Sequence, residues 1–289
     1  MIYIMIKSSK LLTALPVLGL TFALAVSIAF AATNTVVITA NNLENSKINA
    51  YLNGSWFIYD DVTDQIDNSQ ATFVTGPDTA PAGMGSVQLS VSGTQRENVA
   101  TYQFKGTELA DITTLAYSTY NPSAGNGGSA NRSGYLQFNV DFNGTDTWQR
   151  RLVFLPTDNG TVLQDTWQEW DAYNGGNALW RYSGATWPVT GESGTTPKTW
   201  NQILSDYPGV KMRTTDSFLG IRVGEPYPDG YTENIDTFKF GTGSDVTTFD
   251  FEPLLTPTTK DQCKDDGWKI FNNPTFKNQG SCVSFTNHQ

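Results

Sequence analysis

Eight consecutive residues, Tyr135-Leu-Gln-Phe-Asn-Val-Asp-Phe142, alternate between two chemistries. Leu136, Phe138, Val140 and Phe142 share one side of an extended chain, and Gln137, Asn139 and Asp141 share the other. Successive side chains of a strand point to opposite faces, so a period of two predicts a half-buried antiparallel strand. Comparable short runs recur at residues 36–39, 56–59, 71–74, 86–91, 100–104, 112–119, 148–155, 166–170, 218–223, 235–240 and 247–251. Turn chemistry punctuates them at Asn121-Pro122, Asn143-Gly144, Asn159-Gly160 and Asp229-Gly230. Many short strands with such punctuation predict an all-β fold, an antiparallel β-sandwich or jelly roll.

One helix interrupts this texture. Trp200, Ile203, Leu204 and Tyr207 are spaced as a single apolar stripe, Thr199 and Gln202 fit a capping box, and Pro208-Gly209 stops the run. The expected architecture is a sandwich with one short helix and a small disulfide-closed C-terminal tail.

The chain begins with Lys7 and Lys10 and no acid, continues uncharged from 11 to 30, and reaches Ala29-Phe30-Ala31. A basic start, an apolar middle and a small-x-small site predict a secretory signal peptide over 1–31. A retained anchor is the alternative, because 20 apolar residues can span a bilayer. Removal of 1–31 leaves 258 residues with 16 basic and 28 acidic side chains. An acidic surface repels phosphates and anionic lipid, so nucleic acid and membrane are not expected partners after signal cleavage. It is compatible with calcium or with neutral sugars.

The sandwich is expected over 32–252 and a linker rich in Pro and Thr over 253–260. A two-cysteine segment follows over 261–289, where an exported chain is expected to pair Cys263 with Cys282. Closing that loop restricts the unfolded tail by roughly 3 kcal/mol in the chain-entropy model.

The tail reads Cys263-Lys-Asp-Asp-Gly-Trp268, then Phe271, then Phe276-Lys-Asn-Gln-Gly-Ser-Cys282. Over about 25 residues it resembles a short two-cysteine motif of uncharacterised secreted bacterial proteins. That resemblance implies a secreted or cell-surface setting and lends no activity. Leu219-Gly-Ile-Arg-Val-Gly224 and Asn234-Ile-Asp-Thr-Phe-Lys-Phe-Gly241 are similar to closing strands of jelly-roll or concanavalin-like sandwiches of secreted bacterial proteins. Thr237 stands where such modules often carry a second Asp.

Several chemistries lack their residues. The single histidine, His288, is penultimate, which disfavours Ser-His-Asp, Cys-His and His-based zinc schemes. No phosphate-cradling Gly-x-x-x-x-Gly-Lys loop is present, and Gly125-Asn-Gly-Gly128 reads as a turn. The sequons headed by Asn53, Asn131, Asn143 and Asn159 also read as turns. Glu169 and Glu225 are candidates for paired-carboxylate glycoside hydrolysis, although Glu169 reads equally as a solvent-facing strand residue.

Five of eight tryptophans fall between 167 and 200. Aromatic faces stack on sugar rings while amides bond their hydroxyls. Trp170, Trp180 and Trp187, with Tyr182 and Asn177, are therefore the candidate ligand-binding residues, core packing being the alternative reading of each Trp. Asp60, Asp236 and Asp250 lie near the first and last strands and are candidates for a structural calcium, with solvated turns as the alternative. The reading is a secreted or cell-surface, non-catalytic binding module whose ligand is a carbohydrate, such as a polysaccharide or cell-envelope glycan. A structural or adhesive envelope protein and a glycan-cleaving enzyme are the alternatives.

Overall fold

The computed structural model describes residues 33–124, 130–224 and 230–288. The expected signal segment, the Gly125-Asn-Gly-Gly128 turn, Glu225 and Asp229 lie outside the described residues. In chain order the strands are β1 (Thr33–Ile38), β2 (Trp56–Asp60), β3 (Gln65–Ile66), β4 (Ala71–Thr75), β5 (Gly85–Val91), β6 (Arg96–Thr101), β7 (Ile112–Tyr120) and β8 (Tyr135–Asp141). They continue with β9 (Arg151–Phe154), β10 (Trp167–Asp171), β11 (Leu179–Tyr182), β12 (Lys198–Thr199), β13 (Lys211–Met212), β14 (Leu219–Gly224), β15 (Tyr231–Thr242) and β16 (Asp245–Phe251). The helices are α1 (Lys47–Asn53), α2 (Pro156–Asn159), α3 (Trp200–Asp206) and α4 (Gln279–Thr286). Among the described residues no helix is long and apolar enough to cross a membrane.

The strands form two sheets. The larger runs β12-β11-β9-β8-β14-β6-β2-β3, with β13 added to β8. The smaller is organised by the twelve-residue β15. One edge of β15 pairs with β7, which carries β10. The other edge pairs with β5 over 231–235 and with β16 over 238–242. The change of partner falls at an irregularity between Asp236 and Lys239, where Thr237 takes φ 48°. Pairing is antiparallel apart from β1 on β16, the one parallel strand pair among the described residues.

The alternation that announces β8 also sets its neighbours. Leu136, Phe138 and Val140 face inward with Leu152 and Phe154 of β9 and with Leu219, Ile221 and Val223 of β14. They meet Val87, Leu89, Tyr117, Ile235, Phe238 and Phe249 of the smaller sheet in one buried cluster. Trp180 is fully buried in it, 5.4 Å from Phe138, 5.6 Å from Phe154 and 5.4 Å from Trp200 between ring centroids. A second cluster forms on the outer side of the larger sheet, where Ala50 and Tyr51 of α1 cover Phe57, Tyr59, Ala100, Tyr102 and Phe218.

The expected helix is α3. Thr199 accepts from the Gln202 N–H at 3.1 Å and Gln202 accepts from the Thr199 N–H at 2.8 Å, a reciprocal capping box. Its stripe buries Trp200, Ile203 and Tyr207. The expectation of a single helix misses the one-turn α2, and it misses α1 and α4, which are short and lack a long apolar period. Instead, caps define them. Ser46 accepts from the Asn49 N–H and Gly54 closes α1 at φ 66°, while Asn278 accepts from the Ser281 N–H to start α4.

Cys263 and Cys282 form the expected disulfide, with Cα atoms 5.7 Å apart. The bridge sits in a small cluster of its own with Phe271, and Leu255, Trp268, Phe276 and Val283 pack around it. The segment 253–260 is tied to this cluster. Leu255 N donates to the Asn272 side chain at 2.7 Å, and Asn272 Nδ2 donates to the Pro253 carbonyl at 2.7 Å.

Truncating Trp180 leaves a large void between the sheets. Trp180→Ala should destabilise the chain by about 3–5 kcal/mol, read as a lower midpoint in urea unfolding. A midpoint within error of the parent would mean that the side chain is not a core element.

Candidate functional site

Each strand that buries an apolar face in the sandwich turns its alternate residues to the other side. On the larger sheet these are Tyr135, Gln137 and Asn139 of β8, Arg151 and Val153 of β9, Arg222 of β14, and Arg96 and Asn98 of β6. The α1 cluster covers part of this outer face. Beside it lies a cleft of about 470 Å³ whose lining includes Arg96, Arg150, Arg151, Arg222, Asp61 and Trp148. Tyr135, Gln137, Val153, Leu155 and Ser183 complete its lining.

A charged clamp braces the cleft. Arg151 grips Asp61 with two parallel hydrogen bonds of 2.8 and 2.9 Å, and Arg222 reaches the same carboxylate at 3.0 Å. Fork geometry of this kind is the strongest form of the arginine–carboxylate bond. Burial alone would raise the Asp61 carboxyl, but the Arg151 bonds and the charges of Arg151, Arg222 and Arg96 outweigh it and hold it below its usual range. Burial, with Arg151 and Arg96 alongside, pulls Arg222 below the ordinary guanidinium value, although Tyr135 and Asp61 oppose that. Around the clamp, Gln137 donates to Asn98 at 2.8 Å, and Arg151 Nε donates to Asn139 at 3.3 Å.

The rim is the loop between β8 and β9. Asp141, fully buried, gathers it by accepting from the N–H groups of Asn143, Gly144 and Asp146 and from the Gln149 side chain. Gln149 in turn accepts from Phe142 N at 2.9 Å. This network sets Trp148 on the rim, 50% exposed, with the Arg151 guanidinium 6.0 Å from its ring. Arg150 follows with φ 74°, a left-handed conformation that a side chain rarely adopts, and its side chain is exposed.

The structure places the anticipated aromatic residues elsewhere. Trp180 and Trp187 have no exposed surface and Trp170 has 4%. Each indole N–H is satisfied inside the protein, by Ala172 O, Thr196 O and Thr119 Oγ1 respectively. Tyr182 is buried too, its hydroxyl donating to Gln149 O at 2.9 Å. None of the four presents a ring face to a sugar, and the reason is packing: the cluster 167–200 fills the β9–β11 end of the core. Asn177 is exposed, but its amide bonds Asn174 O in a turn. Glu169 is a solvent-facing strand residue paired with Lys239.

The three aspartates are not one group. Asp60 sits at the end of β2 and accepts from Val62 N, Thr63 N and the Thr63 hydroxyl, organising a turn. Asp236 lies at the β15 irregularity, with one oxygen on Phe251 N at 3.0 Å and the other on Ala82 N at 3.2 Å. Asp250 neighbours Glu252, and burial raises both carboxyls. Among the described residues no three acidic, His or Cys side chains are grouped to hold a metal ion.

Sequence reasoning missed Trp148, Arg150, Arg151 and Arg222. A signal was present. Trp148-Gln-Arg-Arg151 sets two arginines beside an aromatic at a strand entry, and Arg222 interrupts the otherwise apolar or glycine run 219–224. No protein-family model matches this chain, and neither a curated protein nor a solved structure shows significant similarity to it.

Glu97 and Glu233 carry a pH signature, which Asp236 shares because burial raises its carboxyl to about 7. Glu97, on the inner side of β6, is fully buried with neither carboxylate oxygen hydrogen-bonded. Burial, then the charges of Asp60, Asp67 and Asp61, raise it to about 7. Burial raises Glu233 to about 8, against bonds from Thr119, Gly134 and Ser133. A raised carboxyl favours the folded state fully below its unfolded value near 4.5, and that advantage is lost as pH rises through the folded value. Stability should therefore decline from about pH 4.5 to pH 8. Glu97→Gln should flatten the part of that decline below pH 7, by roughly 3 kcal/mol at most. Urea midpoints measured at pH 5, 6, 7 and 8 test this, and parallel curves for parent and variant would refute it.

Proposed function

We propose that this chain is an exported carbohydrate-binding protein, a jelly-roll sandwich that holds a saccharide in the cleft on the outer face of its larger sheet. The observation that carries the reading is Trp148, a half-exposed indole at a cleft whose lining includes the Gln137 amide, the Tyr135 and Ser183 hydroxyls and guanidinium groups. A pyranose has an apolar C–H face for such a ring and equatorial hydroxyls for such a wall. The loop that carries Trp148 is braced beside it, where the Gln149 side chain accepts from Phe142 N and donates to Asp141. Export rests on the basic, apolar and small-residue pattern of 1–31 and on the disulfide, a bond that persists outside the reducing cytoplasm.

Binding is favoured over glycoside hydrolysis by the use of the carboxylates. Asp61, the one acid lining the cleft among the described residues, is committed to two arginines. Hydrolysis needs a pair of carboxyls free to exchange protons across the scissile bond.

A glycan array with the full chain identifies a ligand, and affinity gels compare variants on it. Trp148→Ala should weaken binding at least about tenfold, the loss of one aromatic anchor, with an unchanged melting temperature. Undiminished binding by Trp148→Ala, or an array without a single hit, would defeat the proposal.

A further inference from the structure

Behind the cleft lies an acid without a partner. Glu97 is fully buried, and neither of its carboxylate oxygens is hydrogen-bonded. It stands in the rung of the larger sheet that carries the clamp. Its register partner on β2 is Asp60, one residue before Asp61, and on β14 it is Val223, one residue after Arg222. Alternation turns Glu97 inward and its neighbours Arg96 and Asn98 outward. The Arg96 carbonyl accepts from Asp61 N at 2.9 Å, and Asn98 accepts from Gln137 of the cleft lining at 2.8 Å. A displacement of this rung therefore reaches the clamp through the backbone itself.

A protonated carboxyl is tolerated in such a place far better than a carboxylate, because a buried anion without donors loses its hydration and gains nothing in return. The charges that act on Glu97 are acids, Asp60 and Asp61 at the end of β2 and Asp67 after β3. Val223, its neighbour on β14, is apolar, and the side chains of Arg96 and Arg222 line the cleft on the other side of the sheet. Burial and the three acids together raise the group to about 7, so the closed rung is favoured while the proton is on and loses that advantage as pH rises through about 7. Relief is close at hand, since β2 ends at Asp60, β6 begins at Arg96 and β14 ends at Gly224. Strand ends open at lower free energy than strand centres. We infer that Glu97 is a proton switch for the cleft: with its proton, the rung stays closed and Asp61 holds Arg151 and Arg222; without it, the rung opens to water, the clamp loosens and the saccharide site loses its wall. This inference rests on the carbohydrate-binding reading of the cleft and adds regulation by pH to it.

Two measurements on the full chain test it, one of which needs no ligand. Hydrogen exchange followed by NMR reads the Asp61 amide at pH 6 and pH 8. After correction for the intrinsic rate, its protection should fall about tenfold between them, the linkage of one proton to a group that titrates near 7. Glu97→Gln and Glu97→Met, neutral side chains of similar size, should keep that protection at both pH values. Affinity gels cast with xylan, mannan or β-glucan give the second reading. Whichever polysaccharide retards the parent at pH 6 should bind at least about threefold more weakly at pH 8, as the closed fraction falls, and equally at both in the two variants. Unchanged Asp61 protection in the parent, or a loss shared by both variants, would overturn the switch. Steady protection of Asp61 alongside a pH-dependent affinity would likewise overturn it, by placing the titrating group elsewhere. Protection that falls as expected while affinity stays constant would overturn the control of the cleft. Retardation by none of the three polysaccharides would count against the saccharide reading alone, and the switch would then stand or fall on the protection of Asp61.

Discussion

Strand β8 is buried on both faces, and the two faces are chemically opposite. Leu136, Phe138 and Val140 close against the smaller sheet. Gln137, Asn139 and Asp141 are nearly as inaccessible, yet they face away from the apolar core. A polar strand face can be buried only if its groups are satisfied. Gln137 finds Asn98, Asn139 donates to Asp216 O, and Asp141 collects the loop that follows it. Any slip of register by one residue would send the amides into the core and the aromatics into the cleft. The core, the rim and the charged clamp therefore depend on one alternation.

The tryptophans show how the same residue type serves two ends. Trp180, Trp187 and Trp200 sit among aromatic neighbours with each N–H donating to a carbonyl, which removes the cost of burying an indole. Trp148 has the Arg151 guanidinium over its ring and is half exposed to solvent. Local sequence does not separate these cases. Trp180 stands beside arginine, tyrosine and serine, Trp148 beside threonine, glutamine and arginine, and both stretches look like exposed polar surface. Their fates diverge because 179–182 pairs with β9 and β12, while 143–150 is a loop held by its own side chains.

Much of the sandwich was legible, and the parts that were share a cause. Where one face of a strand is apolar and the other polar, as in 135–142, the pattern declares both the element and its orientation. The helix at 200–206 was visible through its capping box as well as its stripe. The hidden parts are those set by partners distant in sequence. The expected strand over 100–104 begins at Arg96, because Arg96, Glu97 and Asn98 extend against β2 and β14 despite their polarity. The cleft draws Asp61, Arg96, Tyr135, Arg151 and Arg222 from segments far apart in the chain, so no local window contains it. The aspartates lie apart for a related reason: Asp60 belongs to a turn of one sheet and Asp236 to an irregularity of the other.

The Asp61 clamp fixes two long, flexible side chains before anything enters the cleft. A free arginine carries about 2 kcal/mol of rotamer entropy, which association ordinarily has to remove. Here folding has already removed it from Arg151 and Arg222, whose guanidinium planes are set by a carboxylate anchored at the end of β2. Such a wall acts as a stiff template: it cannot reshape itself around an incoming molecule. It admits guests by the match of their outline to a fixed set of donors, and a poor fit finds no second arrangement to fall into.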